Sequence, residues 1–178
     1  KDLKRKFEKE LASRPPRIDF ETTLKAAAGQ FIANRGRSIW INAGYPWFGR
    51  WGRDTMISLP GLTLSFGDYE SFRTIFMGLL REARDGFLPN MGGINNSSYN
   101  SVDAPLWAMY ALHQFYLQDH DAFMQFYAKA KIGGFMRDVM ELFTQSNGKN
   151  NGVTIDENGI IWTGSQSTAL TWMDAVVA

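Results

Sequence analysis

The sequence has no cysteine among its 178 residues, which excludes disulfide bonds and thiolate metal sites. Histidine is almost as scarce: His113 and His120 are the two present, too few for a zinc site of the usual Cys/His type. No metal and no cofactor is expected. An excess of charge of one sign is also missing, since nineteen basic and eighteen acidic side chains leave a formal net charge of +1. The charges are scattered rather than gathered into a stripe that tracks phosphates, so nucleic acid is not an expected partner. No apolar run approaches the ~20 residues that span a bilayer, and the charged segment Lys1 to Glu10 does not have the form of a signal peptide. No membrane partner is expected, and a cytoplasmic location is the expectation that follows.

What the chain has in quantity is apolar and aromatic surface. At 44% hydrophobic it is long enough to bury a real core. Six tryptophans are present, and Trp51 stands between Arg50 and Gly52 rather than inside an apolar run, with Trp47 in the same Gly-rich stretch. A rigid aromatic face next to hydrogen-bonding groups suits a sugar ring, which offers an apolar C–H face and a rim of hydroxyls; packing into the core is the equally open alternative.

Periodicity predicts helices joined by loops. Leu3, Phe7 and Leu11 draw one stripe on a first helix, ended by Arg14-Pro15-Pro16. Asp19 offers an N-cap to a second, with Phe20, Leu24, Ala27, Ala28, Phe31 and Ile32 on one face and Gly36 just past its end. Ser38 to Asn42 reads as a short strand, and Ala43 to Asp54 as a loop crowded with Gly and aromatics. A buried helix over Thr55 to Phe66 is expected to kink or divide at Pro60-Gly61. Asp68 opens an amphipathic helix carrying Phe72, Ile75, Phe76, Leu79 and Leu80. After a long loop over Phe87 to Tyr99, a helix over Ser101 to Gln118 holds Pro105 in its first turn. One or two more helices follow around Gly133-Gly134, and Val153 to Trp162 has the signature of a hairpin with Asp156-Glu157-Asn158-Gly159 at its tip. The fold class expected is all-α, packed helical hairpins with a minor β-hairpin.

Four passages carry a family resemblance. Ala43-Gly44-Tyr45-Pro46-Trp47-Phe48 running into Trp51-Gly52-Arg53-Asp54-Thr55, then Gly86-Phe87-Leu88-Pro89-Asn90, then Tyr99-Asn100-Ser101-Val102-Asp103-Ala104 with Leu106-Trp107, and last Leu170-Thr171-Trp172-Met173-Asp174 resemble, in order, the C-terminal amylo-alpha-1,6-glucosidase domain of glycogen-debranching enzymes. The resemblance implies an alpha/alpha six-fold barrel, of which residues 18–178 supply about the first half, residues 1–17 being an N-terminal helix or linker. The remainder of the domain is expected C-terminal to Ala178. It further implies an inverting glycoside hydrolase that frees glucose from α-1,6 branch points of glycogen or a similar branched α-glucan. The chain alone is expected to be inactive, because the second carboxylate would lie beyond it.

The chemistry requires a protonated carboxyl at the leaving oxygen and a second carboxylate that activates water. Asp174 is the catalytic residue expected, as general acid; Trp172 two positions back would lower the local polarity and raise its pKa. A helix cap is the alternative for Asp174. Arg53 and Asp54, at a helix N-terminus, are expected to hold two hydroxyls of a terminal glucose, with Gly52 allowing backbone to approach the ligand; the alternative is an Asp cap beside a structural Arg. Asp103 sits likewise, with Asn100 and Trp107 near it, and capping is the stronger rival there. Trp47 and Trp51 are expected as stacking walls, or else as core. Another barrel glycosidase, glucoamylase- or trehalase-like, and a non-catalytic glucan-binding fragment remain open.

Overall fold

The structure, a computed structural model, describes residues 2–13, 18–36, 38–44, 48–91, 98–145, 152–164 and 170–171. Local chemistry starts three of its helices. Asp19 accepts from Thr22 N–H at 2.8 Å while the Thr22 hydroxyl accepts from Asp19 N–H at 3.1 Å, a reciprocal cap that opens α2 (Phe20–Gly29) after α1 (Asp2–Ala12). The same bond holds the Asp19 carboxyl below its ordinary pKa, with the Thr22 backbone N–H the largest cause. Asp68 caps α4 (Tyr69–Leu80) through Ser71 N–H, and Asp119 caps α6 (His120–Lys129) through Ala122 N–H.

The second helix does not continue to Ile32. It ends at Gly29, and Ile32–Arg35 (β1) pairs antiparallel with Ser38–Ile41 (β2), Ile32 opposite Ile41. Gly36, at φ +64°, supplies the left-handed turn that brings these strands together, and pairing satisfies the backbone better than extending a helix through a glycine. The apolar face expected of this helix is exposed: Phe20 is 82% accessible and no residue of α2 is buried.

Helix α3 (Gly52–Leu62) starts three residues before the expected Thr55 and takes Pro60 into its last turn. The chain divides beyond it as Pro60 requires, into a short 3₁₀ turn over Leu64–Phe66 closed by Gly67 at φ +71°. Helix α5 (Ala104–Gln118) carries Pro105 in its first turn, where its missing N–H costs nothing. The break between α6 and α7 (Ile132–Thr144) lies at Ala130 and Lys131, the latter in the left-handed region at φ 53°, and not at Gly133-Gly134. Gly133 serves packing instead: a Cβ there would stand 2.6 Å from the Tyr127 hydroxyl. The last described elements, β3 (Val153–Ile155) and β4 (Ile161–Thr163), form the expected hairpin.

Phe72 is the centre of the main core. Its fully buried ring lies 5.9 Å from Phe76, 4.9 Å from Phe115 and 6.4 Å from Phe126, which ties α4 to α5 and α6. Phe135 of α7 joins edge-on to Phe76 at 6.4 Å. A second cluster, Phe87, Val102, Leu142, Val153 and Leu170, lies under the loops. The arrangement is mostly helical with two small antiparallel hairpins among the described residues.

Asp156 does more than face solvent at the hairpin tip. Its carboxylate accepts from Asn158 N–H, Ile160 N–H and the Trp162 indole N–H at 2.9, 2.9 and 3.0 Å. These bonds, that from Trp162 first, hold its pKa below the ordinary carboxylate value. A depressed folded pKa contributes order that is present at neutral pH and lost as pH falls through the folded value. The hairpin should therefore hold at pH 5 and loosen only below the usual carboxylate range, read as a change in Trp162 fluorescence that Asp156→Asn displays already at neutral pH. In the main core, Phe72→Ala should cost about 3–5 kcal/mol in urea unfolding, since three helices lose their common contact.

Candidate functional site

The first turns of α3 and α5 meet, and the residues at that meeting are those the sequence singled out. Gly52 sets how close the surrounding chain comes. A Cβ on it would lie 2.1 Å from the Pro89 carbonyl oxygen, and its N–H donates to Asn90 O at 2.8 Å. The glycine thus admits protein backbone, segment 89–91, rather than a ligand; Trp51 bridges to Met91 beside it.

Arg53 turns inward from α3 and is 8% exposed. Its Nε donates to both Asp103 carboxylate oxygens at 2.9 and 2.8 Å, and its Nη2 donates to Ser101 Oγ at 3.1 Å. Ser101 Oγ in turn donates to Asp103 Oδ1 at 2.6 Å. Asp103 occupies the N-cap position of α5 but makes no capping bond with its side chain. The capping alternative does not hold for it: its acceptor sites face Arg53 and Ser101, charge-assisted bonds stronger than a cap. Ser101, wholly buried, had no assigned role in the sequence. Its signal was a hydroxyl two residues before an Asp at a helix entrance.

Asp54 follows Arg53 yet points elsewhere, because successive helical residues diverge by a little over a quarter turn. It is the third residue of α3 rather than its cap, and its exposed carboxylate has no hydrogen bond or ion pair to any described residue. It lines an open cleft of about 300 Å³ with Phe31, Ile41, Asn42, Ile57 and Ser58. The structure therefore separates the two residues expected to act together: Arg53 is committed to Asp103, and Asp54 is available.

The other residues fall around this pair. Asn100 is exposed and accepts from the Ser98 hydroxyl at 2.9 Å. Trp51 is half-buried with an edge contact to Phe48 at 6.5 Å. Trp107 is half-buried against the main core and meets Tyr110 edge-on at 5.7 Å. Arg50 is held by Glu82, Nη2 lying 2.6 and 2.7 Å from its two oxygens, and Glu82 O accepts from the Tyr99 hydroxyl at 2.6 Å. Asn90 is 3% exposed, and its side-chain oxygen has no hydrogen-bond partner among the described residues. Trp47, Trp172 and Asp174 lie outside the described residues. The chain that leads to the last two is nonetheless anchored, because Val102 N–H donates to Leu170 O at 2.9 Å, one residue from Asp103. No group of three or more His, Asp or Glu side chains able to hold a metal ion occurs among the described residues, and no helix among them is long and apolar enough to cross a membrane.

A mostly helical domain with a polar centre of arginine, carboxylate and buried serine where two helix N-termini meet is the class that fold and site define. Residues 26–178 match the family Amylo-alpha-1,6-glucosidase, and the chain belongs to that family, as a glycogen-debranching, glycosidase-like domain. The matched span includes all four passages that carry the resemblance.

Gly52→Ala should lower stability by about 1–3 kcal/mol or more, because the obstructing atom is a backbone carbonyl that cannot rotate away. Thermal unfolding followed by circular dichroism checks it; an unchanged midpoint would show that segment 89–91 yields freely.

Proposed function

We propose that the protein carrying this chain hydrolyses α-1,6-linked glucose at the branch points of glycogen-like glucans by an inverting acid/base mechanism. The observation that carries the reading is the family match over residues 26–178, read together with the Arg53–Asp103–Ser101 centre it encloses. Asp174 is the general acid of this proposal. It stands four residues after Leu170 in sequence, and Leu170 O accepts from Val102 N–H beside the entrance of α5. The activating carboxylate belongs, in this reading, outside residues 1–178.

Asp54 accepts from glucose hydroxyls, and Arg53 fixes the wall of the pocket while its remaining guanidinium N–H groups face the sugar. Asn100 and Asp103 contribute polar contacts, and Trp47, Trp51, Trp107 and Trp172 supply stacking faces. Residues 18–178 belong to an alpha/alpha six-fold barrel in this proposal, with 1–17 a helix or linker before it. The outward stripe on α5 supports that architecture: Leu106, Tyr110 and Leu117, on one helical face, are 47%, 47% and 62% exposed, and Ile57 of α3 is 44% exposed. Further helices of the barrel would cover such a face. A cytoplasmic location is part of the same proposal.

The test is glucose release from a short-branched limit dextrin by the full protein, with linear maltooligosaccharide as control. Asp174→Asn should lower turnover at least ~100-fold, as expected for loss of a general acid. Asp54→Asn should raise KM with a smaller effect on kcat. Full activity in Asp174→Asn would remove the acid from this residue, and equal release from the linear control would overturn the branch-point reading.

A further inference from the structure

A second cleft, of about 350 Å³, opens between the end of α4 and the start of α7. Its floor is apolar, formed by half-buried Met77 and Leu80 with buried Phe135. Its rim is polar: exposed Arg81, Arg84 and Lys131 face exposed Asp85 and Asp138. None of these five charged side chains forms an ion pair with any described residue. Two devices build the cleft. Lys131 takes the left-handed conformation that starts α7. Gly86, at φ +80°, seats the 84–86 turn against α7, since a Cβ there would stand 2.7 Å from the Asp138 carbonyl oxygen.

We propose that this cleft is a second glucan-holding site, taking one or two glucosyl units of an outer chain away from the point of hydrolysis. The inference rests on the glucan reading of the preceding section. Three chemical features favour a neutral polyhydroxyl ligand over a bare anion. Guanidinium and ammonium groups donate to hydroxyls, and carboxylates accept from them, so one ring of groups meets both halves of each hydroxyl. The two carboxylates repel phosphate, leaving little net attraction from three cations. The apolar floor suits the C–H face of a glucose ring. Position favours the same ligand. Arg84 lies 5.0 Å over the Tyr99 ring, the Tyr99 hydroxyl bonds Glu82 O, and Glu82 holds Arg50 next to Trp51. These contacts link the rim of the cleft to Arg50, three residues before Arg53 in sequence.

The experiment titrates the full protein with maltoheptaose and, separately, with inorganic phosphate, comparing wild type with the double variant Arg81→Ala/Lys131→Gly. Glycine fits the left-handed position of Lys131, and an unchanged thermal midpoint verifies the fold. Losing two hydrogen-bonding side chains should weaken maltoheptaose about tenfold, while kcat on a short-branched dextrin, too small to reach the cleft, stays the same. A second variant, Asp138→Ala, removes an acceptor and should weaken maltoheptaose likewise. Unchanged affinity in both variants overturns the proposal. So does phosphate that saturates the cleft and displaces maltoheptaose, which would make it an anion site. Glucose release by the wild type is scored separately: its presence with unaltered maltoheptaose affinity in the variants sinks only the cleft, whereas its absence sinks the debranching reading.

Discussion

The ion pair between Arg53 and Asp103 joins residues fifty positions apart and fixes where α3 begins relative to α5. Its energetics depend on company. A guanidinium and a carboxylate taken largely out of water lose hydration that their mutual attraction alone repays poorly. Ser101 changes the balance by bonding both partners, so the buried end of the carboxylate is satisfied and the planar fork of the arginine has a fixed target. The pair can then serve as a rigid wall. It also explains why Asp103 surrenders its capping duty: an N-cap bond to backbone is worth about 1 kcal/mol, less than leaving an arginine unpaired in a site that is nearly closed.

Helix starts dominate the region around that wall. The N-termini of α3 and α5 each present partial positive charge, and each is answered by an acidic residue, Asp54 in one case and Asp103 in the other. The two acids are answered differently. Asp103 is bonded to Arg53 and Ser101, while the Asp54 carboxylate has no bond to a described residue and lies over a cleft lined mostly by apolar side chains. The proposed glucan site would use both kinds of group, one spent on internal rigidity and one left for the ligand. Arg53 and Asp54, adjacent in sequence, diverge on one turn of α3, so that turn supplies both the partner of Asp103 and the exposed carboxylate.

Local rules made much of the fold legible. Asp19, Asp68 and Asp119 cap helices because a short carboxylate reaches the free N–H groups of the next turn, which depends on a few neighbouring residues alone. The Phe72, Ile75, Phe76, Leu79 stripe and the Asp156 hairpin are local in the same sense. What escaped the sequence is non-local. The fate of Ile32 depended on a strand partner at Ile41. The purpose of Gly52 depended on Pro89, and that of Gly133 on Tyr127. The commitment of Arg53, and with it the role of Ser101, depended on an aspartate fifty residues away. Motif reading set Arg53 beside Asp54 as partners, whereas the fold pairs Arg53 with Asp103.

Beneath the site lies its own small core, separate from the aromatic cluster around Phe72. Phe87, Val102, Leu142, Val153 and Leu170 come from five different segments, four of them loops or a strand end. Loops that carry function are commonly the least stable parts of a domain; here three of the four family passages each place an apolar residue in one shared cluster. Phe87 stands three residues before Asn90 and Val102 immediately before Asp103, and Leu170 shares their cluster. Burying those three side chains together brings polar groups distant in sequence to one place, and the backbone bond from Val102 to Leu170 adds direction to what packing alone leaves free. The hydrophobic effect supplies the gathering and the hydrogen bonds supply the orientation, so the chemistry at the helix entrances inherits its geometry from a core that holds no polar side chain itself.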